Sequence, residues 1–208
     1  MALKIGRIVS GYVQTNVYFV YDEEKKQAIV FDPADNGSGI AKKLSDAGIE
    51  VAAIFLTHGH FDHIYGVKEL KAETNALIYA SKDEDKLLKD PELNVSAQTG
   101  RVCTVEADVL LEDGSVTDIA GMQVKMISTP GHTAGSCCYY FEDAKILICG
   151  DTLFLGSCGR TDLPTGSSAA IDRSIKEKLM CLPDDVRVYP GHGDSSTIGF
   201  ERESNPFC

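Results

Sequence analysis

Short apolar runs separated by charged or glycine-bearing turns recur along the chain, and their lengths predict strands alternating with amphipathic helices. Thr15–Val20 and Ala28–Phe31 are two such runs. Joined by the charged turn Asp22-Glu23-Glu24-Lys25-Lys26, they read as a hairpin that Asp32-Pro33 closes. Ile40, Leu44 and Ala47 then share one helix face, with Ser38 as the expected N-cap and Gly48 as the stop. Val51–Leu56 is continuously apolar, the pattern of a strand covered on both faces, and it leads straight into a histidine-rich loop. A second helix carries Ile64, Val67 and Leu70, a strand lies around Ala76–Tyr79, and Ser81-Lys82-Asp83-Glu84 has the form of a capping box opening a short third helix.

The second half repeats this layout. Ser136–Phe141 and Ile146–Cys149 form another strand pair across the charged turn Glu142-Asp143-Ala144-Lys145, and this pair too ends at an aspartate, Asp151. A last helix spans Ser168–Cys181, with Ile171, Ile175 and Leu179 on one face and Pro183 beyond it, and Val186–Tyr189 is a final strand. The alternation defines an α/β protein, and the duplicated hairpins suggest two sheets meeting face to face. Lys89–Arg101 is polar and aperiodic, either a binding loop or a connector.

Composition adds bounds. The 208 residues suit one domain, 1–208, large enough for a substantial core. A net charge of −11 makes nucleic acid a poor partner, because binding there depends on neutralising phosphates. No apolar run resembles a signal peptide or is long enough to cross a bilayer, so no membrane association is expected. Seven cysteines, odd in number and without a Cys-x-x-Cys pair, argue for reduced thiols and a cytoplasmic location rather than a disulfide framework.

Chemistry concentrates in the histidines. All five fall in glycine-flanked loops that follow predicted strands: His58, His60 and His63 in Thr-His-Gly-His-Phe-Asp-His, His132 in Pro-Gly-His, His192 in Pro-Gly-His-Gly. Asp62 lies inside the first cluster and Asp151 follows Gly150. Imidazole and carboxylate together are transition-metal ligands. These seven donors exceed what one tetrahedral ion takes, so they divide into two sites with a shared carboxylate. Asn16, Asp32 and Thr133 read as residues that orient the ligands. Arg160 and Asp162 read as a structural pair, with an anionic substrate as the alternative role for Arg160; Cys158 reads as a packing residue.

The motif His58-Gly-His60-Phe-Asp62-His63, followed in order by His132, Asp151 and His192, resembles the signature of the metallo-β-lactamase fold superfamily across essentially the whole chain. The resemblance implies a four-layer αββα sandwich. It also implies one metal on His58, His60 and His132, a second on Asp62, His63 and His192, and Asp151 bridging. Zinc is the expected ion, with iron or manganese as alternatives. The stretch from Gly150 to Pro164 resembles glyoxalase II-type hydrolases and persulfide dioxygenases, while the segment from Tyr189 to Phe207 is similar to short bacterial hydroxyacylglutathione hydrolase-like proteins. That resemblance implies hydrolysis of a small thioester such as S-lactoylglutathione, with Asp62 as ligand and catalytic group. The alternative it leaves open is a persulfide dioxygenase with one iron on His58, His132 and Asp151. Class B β-lactamases typically carry cysteine where Asp151 stands, which argues against antibiotic hydrolysis. Sixteen residues follow His192, where full-length glyoxalase II has a helical domain that holds glutathione.

Overall fold

Seen in a computed structural model that describes residues 3–208, the apolar runs assemble into two six-stranded sheets; positions 1 and 2 of the expected 1–208 domain lie outside the described residues. The first sheet follows chain order: β1 (Leu3–Ser10), β2 (Thr15–Asp22), β3 (Gln27–Phe31), β4 (Glu50–Leu56), β5 (Leu77–Ser81) and β6 (Val109–Leu111). Helices α1 (Gly37–Asp46), α2 (Phe61–Ile64), α3 (Val67–Thr74) and α4 (Asp85–Lys89) connect its parallel half. The second sheet begins with β7 (Val116–Ile119), β8 (Met122–Ser128), β9 (Cys137–Phe141) and β10 (Ile146–Gly150). A two-stranded ribbon, β11 (Leu153–Phe154) with β12 (Ser157–Cys158), and helix α5 (Ser168–Arg173) come next. Strands β13 (Arg187–Pro190) and β14 (Ser196–Thr197) complete the sheet, and α6 (Ile198–Ser204) follows.

Three apolar layers hold these elements. Ile40 and Leu44 of α1, with Val67 and Leu70 of α3, pack against Val30 and Ile54 on the outer face of the first sheet. Between the sheets, Phe31, Phe55, Tyr139 and Phe141 meet at ring separations of 5.0–6.0 Å. Ile171, Ile175 and Leu179 cover Leu147 and Val188 on the far side. The architecture is therefore the expected αββα sandwich. Strands buried on both faces, β9 and β10, are the uninterrupted apolar runs, whereas β8, with one face to solvent, alternates as Met-Gln-Val-Lys-Met.

The duplication appears in the topology. In β1-β2-β3-β4 and again in β8-β9-β10-β13 two antiparallel pairings are followed by a parallel one. The parallel strands β3, β4, β10 and β13 thereby release the segments carrying Asp32, His58, Asp151 and His192 at their C-terminal ends, where α/β sheets place their sites.

Several local expectations are corrected. Asn36, not Ser38, caps α1: it takes a left-handed φ of 50° and its side chain accepts from Gly39 N at 3.1 Å. The expected second helix breaks into α2 and α3 at Gly66, whose N–H turns to Pro33 O at 2.8 Å. The helix expected over 168–181 is α-helical only to Arg173 and widens into a π-helix over Ser174–Leu179. Ser81 caps Asp83 N, but Glu84 turns inward instead of closing the capping box. The 89–101 segment is an ordered loop: Asn94 and Ser96 are buried and both bond Cys103 O, and Asn94 O accepts from Phe61 N at 3.0 Å.

Replacing Asn36 by alanine removes the cap and places a Cβ-bearing residue without side-chain compensation in the left-handed region, a combined loss of about 2 kcal/mol in urea unfolding. Asn36→Gly is expected to cost a few tenths, and Ser38→Ala about nothing. A larger loss from Ser38→Ala than from Asn36→Ala would contradict this assignment.

Candidate metal centre

All seven expected donors converge where the two sheets open at their C-terminal edges. Ligand atoms of His58, His60 and His132 lie within 4.8 Å of one another, and so do those of Asp62, His63 and His192. Asp151 stands between the groups, 3.5 Å from His132 Nε2, 3.4 Å from His63 Nε2 and 3.5 Å from His192 Nε2. Asp62 Oδ2 is 3.2 Å from His192 Nε2 and 3.6 Å from His63 Nε2. A third grouping, Asp32 with His58 and His63, also falls within ligand distance. Both Asp32 oxygens are already engaged, however: Oδ1 accepts from Thr57 N at 2.8 Å, and Oδ2 from Thr57 Oγ1 at 2.7 Å and His63 Nδ1 at 3.0 Å.

Those bonds settle which imidazole nitrogen faces the centre. Because the Thr57 hydroxyl donates to Asp32, the 3.1 Å contact from His58 Nδ1 to Thr57 Oγ1 needs the proton on Nδ1, leaving Nε2 as the free lone pair. His63 Nδ1 donates to Asp32, and His132 Nδ1 donates to Arg160 O at 2.7 Å, so their Nε2 atoms likewise turn to the centre. Supporting partners of this kind orient metal-binding histidines. Of these nitrogens, His58 Nε2 and His63 Nε2 are buried without a hydrogen-bond partner among the described residues, as are His60 Nε2 and Asp151 Oδ1. His132 Nε2 is met by His60 Nδ1 at 2.9 Å. Buried polar atoms without partners are rare and costly, and imidazoles with carboxylates around a common point fit borderline dications such as zinc or iron.

Titration follows the same logic. Burial, and then the neighbouring imidazoles, hold His58 well below its ordinary value and bring His60 down to about 3, so both are in the neutral form that ligates. Burial opposes charge on Asp62 and Asp151 too, but His63 and His192 together, joined at Asp151 by His132, outweigh it and keep both carboxylates below their usual range. His63 rises well above its ordinary value against its own burial, because Asp62 and Asp151 face it. The centre thus holds two ionised carboxylates, which favour positive charge beside them.

Glu84 is the residue that sequence reasoning missed. Its Oε1 accepts from Gly59 N at 2.8 Å, between His58 and His60; its Oε2 accepts from Thr133 Oγ1 and Gly135 N, each at 2.9 Å, just beyond His132. One buried carboxylate therefore ties two ligand loops from opposite sheets. Thr15 was missed too; its hydroxyl donates to Asp62 Oδ2 at 3.1 Å. Asn16 does the orienting work expected of it, donating to Pro190 O and Gly193 O on either side of His192, each at 2.9 Å. Close approach explains Gly191, where a Cβ would lie 2.3 Å from Asp151 Oδ1.

The Arg160–Asp162 pair forms, with two 2.7 Å bonds, but both side chains are exposed, and the group that reaches the centre is the Arg160 carbonyl. Burial, then Asp172, pushes the Cys158 thiol up, and its side chain packs against the layer of Ile171, Ile175 and Leu179.

Comparison with known proteins agrees with this geometry. A description of the metallo-β-lactamase superfamily matches residues 10–192, and the chain belongs to that superfamily. It is 36% identical over 207 residues to the probable metallo-hydrolase YqgX of Bacillus subtilis (strain 168), covering 99% of this chain and 97% of that one. The hydroxyacylglutathione hydrolase GloC of Haemophilus influenzae is 32% identical over 200 residues, covering 93% and 92%. Among solved structures, BLEG-1, named as a B3 metallo-β-lactamase, superposes with a TM-score of 0.93 at 37% identity, covering 98% of this chain and 99% of that one. TTHA1623 in a di-iron-bound form superposes with a TM-score of 0.87 at 31% identity, covering 98% and 100%.

Glu84→Gln would turn an amide N–H₂ toward Gly59 N–H or toward the Thr133 and Gly135 donors, leaving buried donors unmatched. A loss of about 1–3 kcal/mol in urea unfolding is expected. Burial raises Glu84 from 4.5 to about 7, so the folded chain holds more protons than the unfolded one in that interval. Its contribution to stability therefore declines as pH rises from 4.5 to about 7 and levels above, and the glutamine variant, compared at each pH, should lack that slope. Equal pH slopes in both proteins would refute the role of Glu84.

Proposed function

We propose that the protein is a metal-dependent hydrolase of the glyoxalase II kind, cleaving a small thioester such as S-lactoylglutathione to a carboxylic acid and a thiol. The observation that carries this reading is Asp151 standing between two complete donor groups. A mononuclear dioxygenase on His58, His132 and Asp151 would leave Asp62, His63 and His192 gathered without a task. The thioester class is supported by the name of the GloC relative and by the sequence resemblance after Gly150.

His58, His60 and His132 would hold one ion and Asp62, His63 and His192 the other, with Asp151 shared; zinc is the first expectation, and iron or manganese suits the same donors. When bound, such dications lower the pKa of a coordinated water to roughly 7 and polarise a carbonyl oxygen. The chain's own part is positional. Asp62 and His192 keep 14% and 25% side-chain exposure while His63 keeps none, so substrate enters on their side. With Oδ2 fixed by Thr15, Asp62 orients the attacking water and receives its proton. The leaving thiol departs as a thiolate, so no general acid is required. No helix of the described residues is long and apolar enough to cross a membrane, and all seven cysteines are free, which supports a reducing cytoplasm. The partner is a small molecule, and the acidic charge disfavours nucleic acid.

Asp62→Asn is expected to lower kcat for thioester cleavage by ~100-fold or more. Wild type and variant are assayed on S-lactoylglutathione, on a β-lactam, and for persulfide-dependent oxygen uptake; BLEG-1's name makes the lactam a necessary comparison. Oxygen uptake that survives the substitution, with negligible thioester cleavage in either protein, would overturn the hydrolase reading.

A further inference from the structure

A small cavity of about 100 Å³ opens beside Asp62, on the entry side of the metal centre. One wall is the tip of the β1–β2 hairpin. Gly11 and Gln14 both take left-handed backbone, with φ of 73° and 61°, and Gln14 N bonds Gly11 O at 3.2 Å. This tight turn pushes Tyr12 and Val13 outward, 73% and 39% exposed, apolar surface that no core claims. Tyr12 stacks on Phe61, which sits between the ligands His60 and Asp62, with ring centres 6.0 Å apart and planes within 13°.

The opposite wall is fixed. Tyr65 bonds the Thr99 hydroxyl, and the Arg101 guanidinium lies 4.4 Å over the Tyr65 ring. Arg101 is also bound to Asp35 at 2.6 Å, with Glu69 3.9 Å away, so its charge is answered twice within the protein. The cavity therefore has aromatic and aliphatic walls and a cation that is already neutralised. A carboxylate entering it would meet Asp35 and find the Arg101 charge already paired.

We propose that this slot is the specificity pocket of the centre and that it takes a short, uncharged, apolar arm of the thioester. The proposal rests on the hydrolase reading above. Its volume corresponds to about three water-sized groups, which suits an arm of three to five heavy atoms and leaves a peptide-sized group outside the slot. The arm belongs either to the acyl group or to the thiol, and the two sources are separable by experiment.

Two substrate series test this on the metal-loaded protein: straight-chain acyl groups of two to eight carbons on N-acetylcysteamine, and acetyl thioesters of alkanethiols over the same lengths. In one series kcat/KM is expected to rise about fourfold per methylene, the factor for burying one such group, and to level once the slot is full. Tyr12→Ala, at an exposed tip that the core does not need, should flatten that series by removing a wall. Calorimetric binding of dialkyl thioethers, which cannot be hydrolysed, supplies a second readout. Thioether affinity that grows with chain length in wild type and not in Tyr12→Ala, without thioester turnover, would sustain the slot and overturn the hydrolase reading. Flat dependence in both series and in thioether binding, or a dependence unchanged in Tyr12→Ala, would overturn the slot.

Discussion

Bringing buried imidazoles and two carboxylates into one small volume is the constraint to which the rest of the structure answers. His58, His60, His63 and His132 are each at most 3% exposed, and three of their Nε2 atoms face the centre with no protein partner among the described residues. Such an arrangement is unfavourable unless something positive occupies the middle, and it needs stiff support. Asp32 and Glu84 provide that support. Asp32 adopts a left-handed φ of 48° at the end of β3, a conformation uncommon for a residue with a side chain, and from there fixes Thr57 and His63 together. Glu84 joins the His58–His60 loop of one sheet to the His132 loop of the other.

The two sheets explain why this convergence is attainable. Each contributes an antiparallel hairpin followed by a parallel strand, so equivalent loops emerge at one edge from both. The aromatic layer of Phe31, Phe55, Tyr139 and Phe141 sets the separation between them. Tyr139 adds a direct tie, donating to Leu56 O at 2.8 Å, one residue before Thr57. Packing between the sheets thus controls distances at the centre, which links core stability to site geometry.

Much of this was legible from residue order. The uninterrupted apolar strands, both hairpins and the seven donors carry strong local signals, and each lies where its pattern puts it. Weaker signals went unread. Strands β1, β6 and β7 lie at sheet edges and helix α6 at the end of the chain, where half-exposed positions blur the pattern; β8, inside the second sheet, went unread as well. Even so, β8 alternates cleanly, and Ala120-Gly121, both at positive φ, marks the tight turn before it. Glu84 was not legible at all, because a carboxylate three residues after a serine looks like a cap; only the tertiary approach of Gly59 and Gly135 turns it inward. The carbonyl of Arg160 was hidden for a similar reason, since backbone acceptors leave no mark on residue type.

The central claim is that seven side chains define two adjacent ion sites sharing Asp151. Crystals of protein loaded with zinc, measured on both sides of the zinc absorption edge, test it most directly. Two anomalous peaks are expected, one within coordination distance of His58, His60 and His132, the other of Asp62, His63 and His192, with Asp151 reaching both. A single peak under saturating zinc, with His192 turned away from it, would contradict the account.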